Sequence, residues 1–165
     1  MDRSRQNQAA LPILVLAGHL NDKAHVLKLK ALTFDLELSP TVKFVGSIDT
    51  TDELMFESDL VVHSSVKEGC PNSVCEAMAV AKPVVCTDIP GTRQALDKSL
   101  WDTCLSEPHN ETNLAENIIY FLENRKHALR VGTLNRERIE KEFSIEGMCR
   151  FFDSLLNFHE VCKKA

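Results

Sequence analysis

Short apolar runs alternate along the chain with longer segments whose apolar residues recur every three or four positions. Continuous apolar runs bounded by Gly, Pro or polar residues are typical of strands buried on both faces of a parallel sheet. Such runs lie at 13–17, 41–46, 59–65 and 83–87. The intervening segments predict helices, which lie at 22–37, 50–57, 72–81 and 91–96. This alternation predicts an α/β fold: a Rossmann-like parallel sheet flanked by helices, with right-handed crossovers.

The last third of the chain has a different pattern, dominated by helical spacing. It predicts helices over 113–124, 126–142 and 144–162, and one short strand within 101–106. We expect a helical C-terminal tail that packs on the sheet or reaches elsewhere. Residues 1–11 are polar and predict a flexible leader, and the length of 165 residues predicts one domain over 12–165.

Composition and charge exclude several classes of protein. The net charge of −5 argues against nucleic acid as a partner, because that needs clustered Lys and Arg. No apolar run approaches the roughly 20 residues that span a bilayer, and the first residues lack the apolar segment of a signal peptide. The six cysteines contain no C-x-x-C pair. We therefore expect a cytoplasmic protein with reduced thiols, no integral membrane segment and no metal site.

The stretch KEGCPNSVCEAMAVAKPVV, residues 67–85, contains the most informative chemistry. Glu68 lies in the loop that leaves the third predicted strand, and Glu76 lies one turn into the next helix. In open α/β sheets, ligands bind outside the carboxyl ends of the strands. Gly69 lets the backbone approach a ligand or adopt a positive φ. The two carboxylates are therefore candidates for ligand contacts at this edge.

The start of the helix at 72–81 predicts an anion site. Pro71 fixes the approach of the chain, and Asn72 or Ser73 can cap the helix. Free N–H groups in the first turn, with the helix dipole, favour an anion such as a diphosphate. A carboxylate at Glu76 can accept hydrogen bonds from ribose hydroxyls, so the combination fits a nucleotide-sugar. The alternative is structural: Ser73-x-x-Glu76 matches a capping box, and Glu68 can be an exposed loop charge.

The segment SDLVVHSSVKEGCPNSVCEAMAVAKPVVCTDIPGTRQAL, residues 58–96, resembles a known family. It is similar to the C-terminal nucleotide-sugar-binding domain of the GT-B glycosyltransferases, in the retaining group called family 4 or group 1. The shared features are E-G-x-P at 68–71, E-A-M-A at 76–79, P-V-V at 83–85 and the E-x7-E spacing of the two glutamates. The resemblance extends over about residues 13–160 and implies one half of a GT-B architecture.

The resemblance also implies roles for individual residues. Glu68 would contact hydroxyls of the transferred sugar near the reacting centre, and Glu76 would bind the ribose. Gly91 would border the donor pocket. From its place after the Gly91 turn, Arg93 is the best candidate within the chain for a phosphate contact, and a surface role is the favoured alternative for it. The backbone around the helix start would approach the diphosphate, which involves Gly69, Pro71, Asn72, Ser73 and Val74. The implied reaction is sugar transfer with retention, in which a nucleotide-sugar is a co-substrate and no metal or other cofactor takes part.

The chain departs from the family pattern at its start. Family members carry an Arg and a Lys that neutralise the diphosphate, on a first strand–helix unit that would precede residue 13. Residues 1–12 are too few to hold that unit, and the acceptor-binding N-terminal domain is also absent from the sequence. We therefore expect a site that a partner chain or a missing N-terminal domain completes.

Three functions remain open from the sequence. The first is the donor half of a retaining glycosyltransferase, and the second is a non-catalytic module that binds a nucleotide or nucleotide-sugar. The third is a flavodoxin-like signalling or interaction domain. A receiver domain needs an acidic cluster after its first strand, and Gly18-His19 does not supply one.

Overall fold

The computed structural model describes residues 11–19, 21–145, 147 and 149. The predicted leader, apart from Leu11, and most of the predicted helix 144–162 lie outside the described residues. Contacts within the chain group it into two compact units, Met1–Thr51 and Asp52–Ala165. Each unit is described separately below, and the single domain over 12–165 stays a prediction.

The first unit contains one parallel strand pair and one helix. Strand β1 spans Leu14–Ala17, helix α1 spans Lys23–Asp35 and strand β2 spans Val42–Gly46. The helix begins where the Asp22 carboxylate accepts a hydrogen bond from the backbone N–H of His25 at 2.9 Å, as expected of an N-cap aspartate. The predicted strand–helix–strand order of this part of the chain is confirmed.

The second unit is built on a three-stranded parallel ladder. Its strands are β3 at Val61–His63, β4 at Val84–Thr87 and β5 at Leu105–Ser106, in the order β3-β4-β5. All four residues of the central strand β4 are buried, which explains its continuous apolar run. Across the described residues, five strands form two ladders, where the alternation of the sequence predicts one sheet.

The helices of the second unit follow the predicted order. They are α2 at Thr51–Glu57, α3 at Asn72–Ala79, α4 at Pro90–Ala95, α5 at Trp101–Cys104, α6 at Glu111–Glu123 and α7 at Arg125–Glu142. The core combines side chains from α3, β4, α6 and α7, including Val74, Val84, Phe121 and Val131. No helix in the described part of the chain is long and apolar enough to span a membrane.

The one short strand predicted within 101–106 is confirmed at its C-terminal end. Residues Trp101–Cys104 form a helical turn, and the strand is confined to Leu105–Ser106. A 3₁₀ turn at Lys98–Leu100 directly precedes the helical turn. The Asp97 carboxylate caps this 3₁₀ turn by accepting a hydrogen bond from the backbone N–H of Ser99 at 2.9 Å. The backbone is therefore already helical when it reaches Trp101, and this local cap overrides the strand pattern.

Helix α7 binds the backbone on both sides of strand β4. Asn135 donates from Nδ2 to the carbonyl of Lys82 at 3.0 Å, and Arg138 donates from Nε to the carbonyl of Ala95 at 2.6 Å. Gly132 allows this approach, because a Cβ there would lie only 2.0 Å from the carbonyl oxygen of Ala81. Helix α7 is thus fixed against the turn that precedes β4 and against the end of α4.

Candidate functional site

Two loops leave the same edge of the second ladder. In the parallel register, His63 at the end of β3 lies opposite Cys86 near the end of β4. The loop over residues 64–71 follows β3, and the turn over 88–89 follows β4. Because the carboxyl ends of parallel strands share one edge, both connections emerge together there.

The two connections are in backbone contact at Gly91. This residue is buried in the first turn of α4, and a Cβ on it would lie 2.8 Å from the carbonyl oxygen of Gly69 and 2.9 Å from that of Glu68. A side chain of any size would displace the loop. Glycine at position 91 is therefore what lets the loop that carries Glu68 rest on the start of α4.

The structure decides between the two roles that the sequence leaves open for Gly69. Its φ is not positive, and a Cβ built on it meets nothing within 4 Å. A positive φ is therefore excluded as the reason for glycine at this position. The open space beside Gly69 still leaves room for a ligand to approach the backbone.

Glu68 is held at one side by two neighbouring side chains. The Ser65 hydroxyl lies 3.3 Å from both Glu68 Oε1 and the carbonyl oxygen of Lys67, and it can donate its proton to either. His63 Nε2 lies 4.0 Å from the same carboxylate oxygen. The Glu68 side chain is 40 % exposed, so the carboxylate is oriented and still accessible.

The sequence assigned no function to His63, although it is the last residue of β3. Its side chain is only 16 % exposed, and Nδ1 is buried without a hydrogen-bond partner among the described residues. The sequence signal that could have pointed to His63 is a polar residue at the end of a strand, five positions before Glu68. The structure adds this imidazole to the surroundings of the carboxylate.

The start of α3 differs from the predicted cap. Pro71 is the N-cap residue, no side chain caps the helix, and Asn72 and Ser73 lie inside the first turn. The prediction of a cap by either residue is therefore wrong, because the helix begins one residue earlier than a cap at Asn72 requires. The N–H of Asn72 binds the carbonyl of Cys70 and that of Val74 binds the carbonyl of Pro71, each at 3.0 Å. Within the described residues, the N–H of Ser73 has no acceptor.

Glu76 does not form the capping box that its spacing with Ser73 suggested. Its side chain is exposed on the second turn of α3 and has no hydrogen bond among the described residues. The alternative that Glu76 serves only to cap the helix thus has no support in the geometry. The side chain is exposed to solvent and available to a ligand.

A family model described as "Glycosyl transferases group 1" matches residues 1–138 of the chain. The chain belongs to this family. The structural neighbours also confirm the predicted resemblance to GT-B glycosyltransferases and the predicted parallel α/β architecture.

Three relatives illustrate how much of a group 1 glycosyltransferase this chain spans. It is 33 % identical over 94 residues to an N,N'-diacetylbacillosaminyl-diphospho-undecaprenol alpha-1,3-N-acetylgalactosaminyltransferase of Campylobacter jejuni, covering 57 % of the chain and 25 % of that protein. It is 28 % identical over 130 residues to a poly(ribitol-phosphate) alpha-N-acetylglucosaminyltransferase of Staphylococcus aureus, covering 79 % of the chain and 26 % of that protein. The Anabaena protein HepE in complex with UDP matches in fold with a TM-score of 0.80 at 23 % identity, covering 88 % of the chain and 41 % of HepE. The chain therefore spans about a quarter of the length of these curated relatives.

In this group 1 chain, Arg93 is engaged in a structural role. Its Nε and Nη2 donate to the two carboxylate oxygens of Asp88, and its guanidinium stacks 4.8 Å from the centre of the Trp101 ring. The ion pair holds the pKa of Asp88 below its ordinary range. Two of the three guanidinium nitrogens are thus committed, and this argues against the phosphate contact predicted for Arg93.

The start of α4 is fixed by a buried threonine. Thr92 Oγ1 lies 2.7 Å from the carbonyl oxygen of Thr87 and accepts the N–H of Ile89 at 3.1 Å. These bonds connect the end of β4 to the first turn of α4, and they position Gly91 under the Glu68 loop. Across the described residues, His, Cys, Asp and Glu side chains form no group of three or more that could hold a metal ion.

Proposed function

We propose that this chain supplies the donor-binding half of a glycosyltransferase, which transfers a sugar from a nucleotide-sugar to an acceptor. The observation that supports the proposal is the contact of the Glu68 loop with Gly91, just before the start of the helix that carries the exposed Glu76. Membership of the group 1 family supports glycosyl transfer. The UDP and UDP-glucose complexes of the structural neighbour HepE support a nucleotide-sugar donor.

The geometry suggests which part of the donor each residue contacts. Glu68, oriented by Ser65 and accessible on its free side, accepts hydrogen bonds from hydroxyls of the transferred sugar. Glu76, exposed on the second turn of α3, accepts hydrogen bonds from the ribose hydroxyls. Hydrogen bonds to a charged carboxylate contribute about 1.5–3 kcal/mol each, so either contact is large enough to measure.

The diphosphate lies at the N-terminus of α3 in this proposal. The N–H of Ser73 points to no acceptor in the described part of the chain, and the helix dipole adds positive potential at the same end. The loop also carries the exposed Lys67. Stabilisation of the departing diphosphate by such donors lowers the barrier without a metal ion.

We also propose that the reaction proceeds with retention of configuration and needs no metal. The names of the Campylobacter and Staphylococcus relatives both specify alpha products. A donor whose sugar is alpha-linked to the diphosphate gives an alpha product by retention. The acceptor site and further cationic groups come from the remainder of a longer protein or from a partner chain.

A second candidate function is binding of a nucleotide-sugar without turnover. The observation that favours it is the ion pair of Arg93 with Asp88, which removes the best candidate within the chain for neutralising the diphosphate. Transfer assays on the chain alone and on the chain with a partner that completes the site separate the two functions, because only the first function predicts turnover.

Calorimetric titration tests the donor site directly. The ligands are UDP, GDP, ADP and a nucleotide-sugar of each, with and without a chelator, and the variants are Glu76→Gln and Glu68→Gln. We expect Glu76→Gln to weaken nucleotide and nucleotide-sugar binding by about 10–100-fold. Glu68→Gln should weaken only the nucleotide-sugar, because it contacts the sugar and not the nucleotide. Glu116→Gln, an exposed position on α6, is the matched control.

The possible outcomes are distinct. No binding by any ligand would refute a donor site in this chain, and equal losses from all three variants would show that the carboxylates have no specific role. Binding that disappears with the chelator would refute the metal-free proposal. When turnover is observed, the anomeric configuration of the product, read by NMR, decides between retention and inversion.

A further inference from the structure

Two cysteines lie between the paired glutamates, at structurally linked positions of α3. Cys70 immediately precedes the N-cap residue Pro71, and Cys75 is the fourth residue of the helix. These are the N′ and N4 positions, whose side chains pack against each other in the hydrophobic staple that fixes the entry of a chain into a helix. Cys70 is exposed and Cys75 is half-buried, and both are free thiols.

Backbone hydrogen bonds hold the two cysteines in this arrangement. The carbonyl of Cys70 accepts the N–H of Asn72 at 3.0 Å, and the carbonyl of Pro71 accepts the N–H of Cys75 at 3.1 Å. The two cysteines thus lie on either side of the first turn of the helix, at its N′ and N4 positions. Burial, followed by the neighbouring Cys70 thiol, raises the pKa of Cys75.

Two other thiols of the same unit provide an internal contrast. Cys86 on β4 and Cys104 on α5 are buried in the core. Burial raises the pKa of Cys104 to about 12, and that of Cys86 is raised as well. Reactive thiols need both access and thiolate character, so these two are expected to be inert under conditions that modify Cys70.

We propose that Cys70 and Cys75 form a redox modification site, at which a small-molecule disulfide such as oxidised glutathione converts the pair into an intrachain disulfide. In the first step, the exposed Cys70 thiolate, its proton lost to solvent, attacks one sulfur of oxidised glutathione. The new bond is a Cys70–glutathione disulfide, and one glutathione leaves. In the second step, the Cys75 thiolate attacks the Cys70 sulfur and releases the second glutathione. Two protein thiols are oxidised and one glutathione disulfide is reduced to two thiols.

The disulfide bears on the donor site, and this part of the inference rests on the proposed function. It ties residue 70 to the first turns of α3, while the preceding Gly69 carbonyl packs against Gly91. The short segment between Glu68 and the start of α3 then has less freedom to adjust to a ligand. We expect the oxidised chain to bind its nucleotide-sugar several-fold more weakly than the reduced chain, and a thiol reductant to restore the affinity.

Mass spectrometry of the full chain with Cys149→Ser and Cys162→Ser identifies the disulfide. Those two substitutions remove other partners for exchange. Cleavage after glutamate releases the peptide of residues 69–76, GCPNSVCE, which holds only the two cysteines in question. In a glutathione redox series, we expect this peptide to lose two hydrogens with a defined midpoint, faster at higher pH because Cys75 must deprotonate. Cys70→Ser should leave the peptide unmodified, and Cys75→Ser should stop it at the glutathione adduct.

The outcomes separate this inference from the proposed function. A persistent glutathione adduct on Cys70 in the parent chain, or oxidation of Cys86 and Cys104 at the same rate, would overturn the dithiol site. A disulfide that forms without changing donor affinity would overturn its effect on the loop. If neither form binds any donor while the disulfide still forms, the proposed function fails and the modification site stands.

Discussion

Substitution of Gly91 by alanine is the most direct test of how the site is assembled. The added Cβ would lie 2.8 Å and 2.9 Å from the carbonyl oxygens of Gly69 and Glu68, closer than real Cβ atoms approach other atoms. Both contacts are with backbone, so no side-chain rotation relieves them. The loop that carries Glu68 must move away from α4.

The magnitude follows from two opposing effects. Overpacking at a buried position costs about 1–3 kcal/mol. Alanine gains about 0.5–1 kcal/mol over glycine in a helix, and Gly91 lies in the first turn of the short helix α4. We expect Gly91→Ala to lower the free energy of unfolding by about 1–2 kcal/mol and to weaken donor binding through the displaced Glu68.

Gly69→Ala is the matched control, because it adds the same methyl group to the other side of the same contact. Its Cβ meets nothing within 4 Å, so the free energy of unfolding should change by less than about 0.5 kcal/mol. Urea unfolding followed by Trp101 fluorescence gives the stability, and calorimetry gives the donor affinity. Wild-type stability together with wild-type donor affinity in Gly91→Ala would refute the argument that Gly91 supports the Glu68 loop.

Two further predictions concern the rest of the second unit. Gly132→Ala places a Cβ 2.0 Å from the carbonyl oxygen of Ala81. It should destabilise the fold by about 2 kcal/mol in urea unfolding, although alanine favours helix. The control Thr133→Ala, at an exposed position of the same helix, should be neutral or stabilising, and equal effects of the two substitutions would contradict the packing argument. The lowered pKa of Asp88 means that its ion pair with Arg93 stabilises the fold above the unfolded pKa, and that this contribution is lost as the pH falls through the folded pKa. Asp88→Asn should therefore show a weaker decline of stability between about pH 5 and pH 2 than the wild type, and parallel declines would show that the pair contributes nothing.

The order of most strands and helices could be predicted from the sequence because short apolar runs alternate with segments of helical spacing. β4 is buried at all four positions, and its apolar run was unambiguous. The turn at Trp101–Cys104 could not be predicted, because its helical conformation depends on a cap that Asp97 provides upstream. Local hydrogen bonds of this kind are weak signals in a sequence and decisive in a structure.

The roles of Glu68 and Glu76 in a donor site came from the family resemblance, and they stay predictions. The sequence could not predict local contacts where the same residues fit two different explanations. Ser73 and Glu76 match a capping box, and only the backbone shows that the helix begins at a Pro71 cap. Arg93 was a reasonable phosphate ligand until Asp88, five residues earlier, was found to hold it. Side-chain pairing across a turn is decided by geometry that the spacing does not specify.

The hydrogen bonds from α7 have a consequence for synthesis of the chain. Asn135 reaches back 53 residues to the carbonyl of Lys82, and Arg138 reaches back 43 residues to that of Ala95. At about 5–20 residues per second, a ribosome completes those partners roughly 3–10 s after it has made the turn at Lys82. During that interval α3 and α6 are present, but the turn before β4 and the end of α4 lack the hydrogen bonds from α7 that fasten them. A chain that stalls before α7 would therefore be a client for chaperones and proteases, although every residue of the candidate site had already been made.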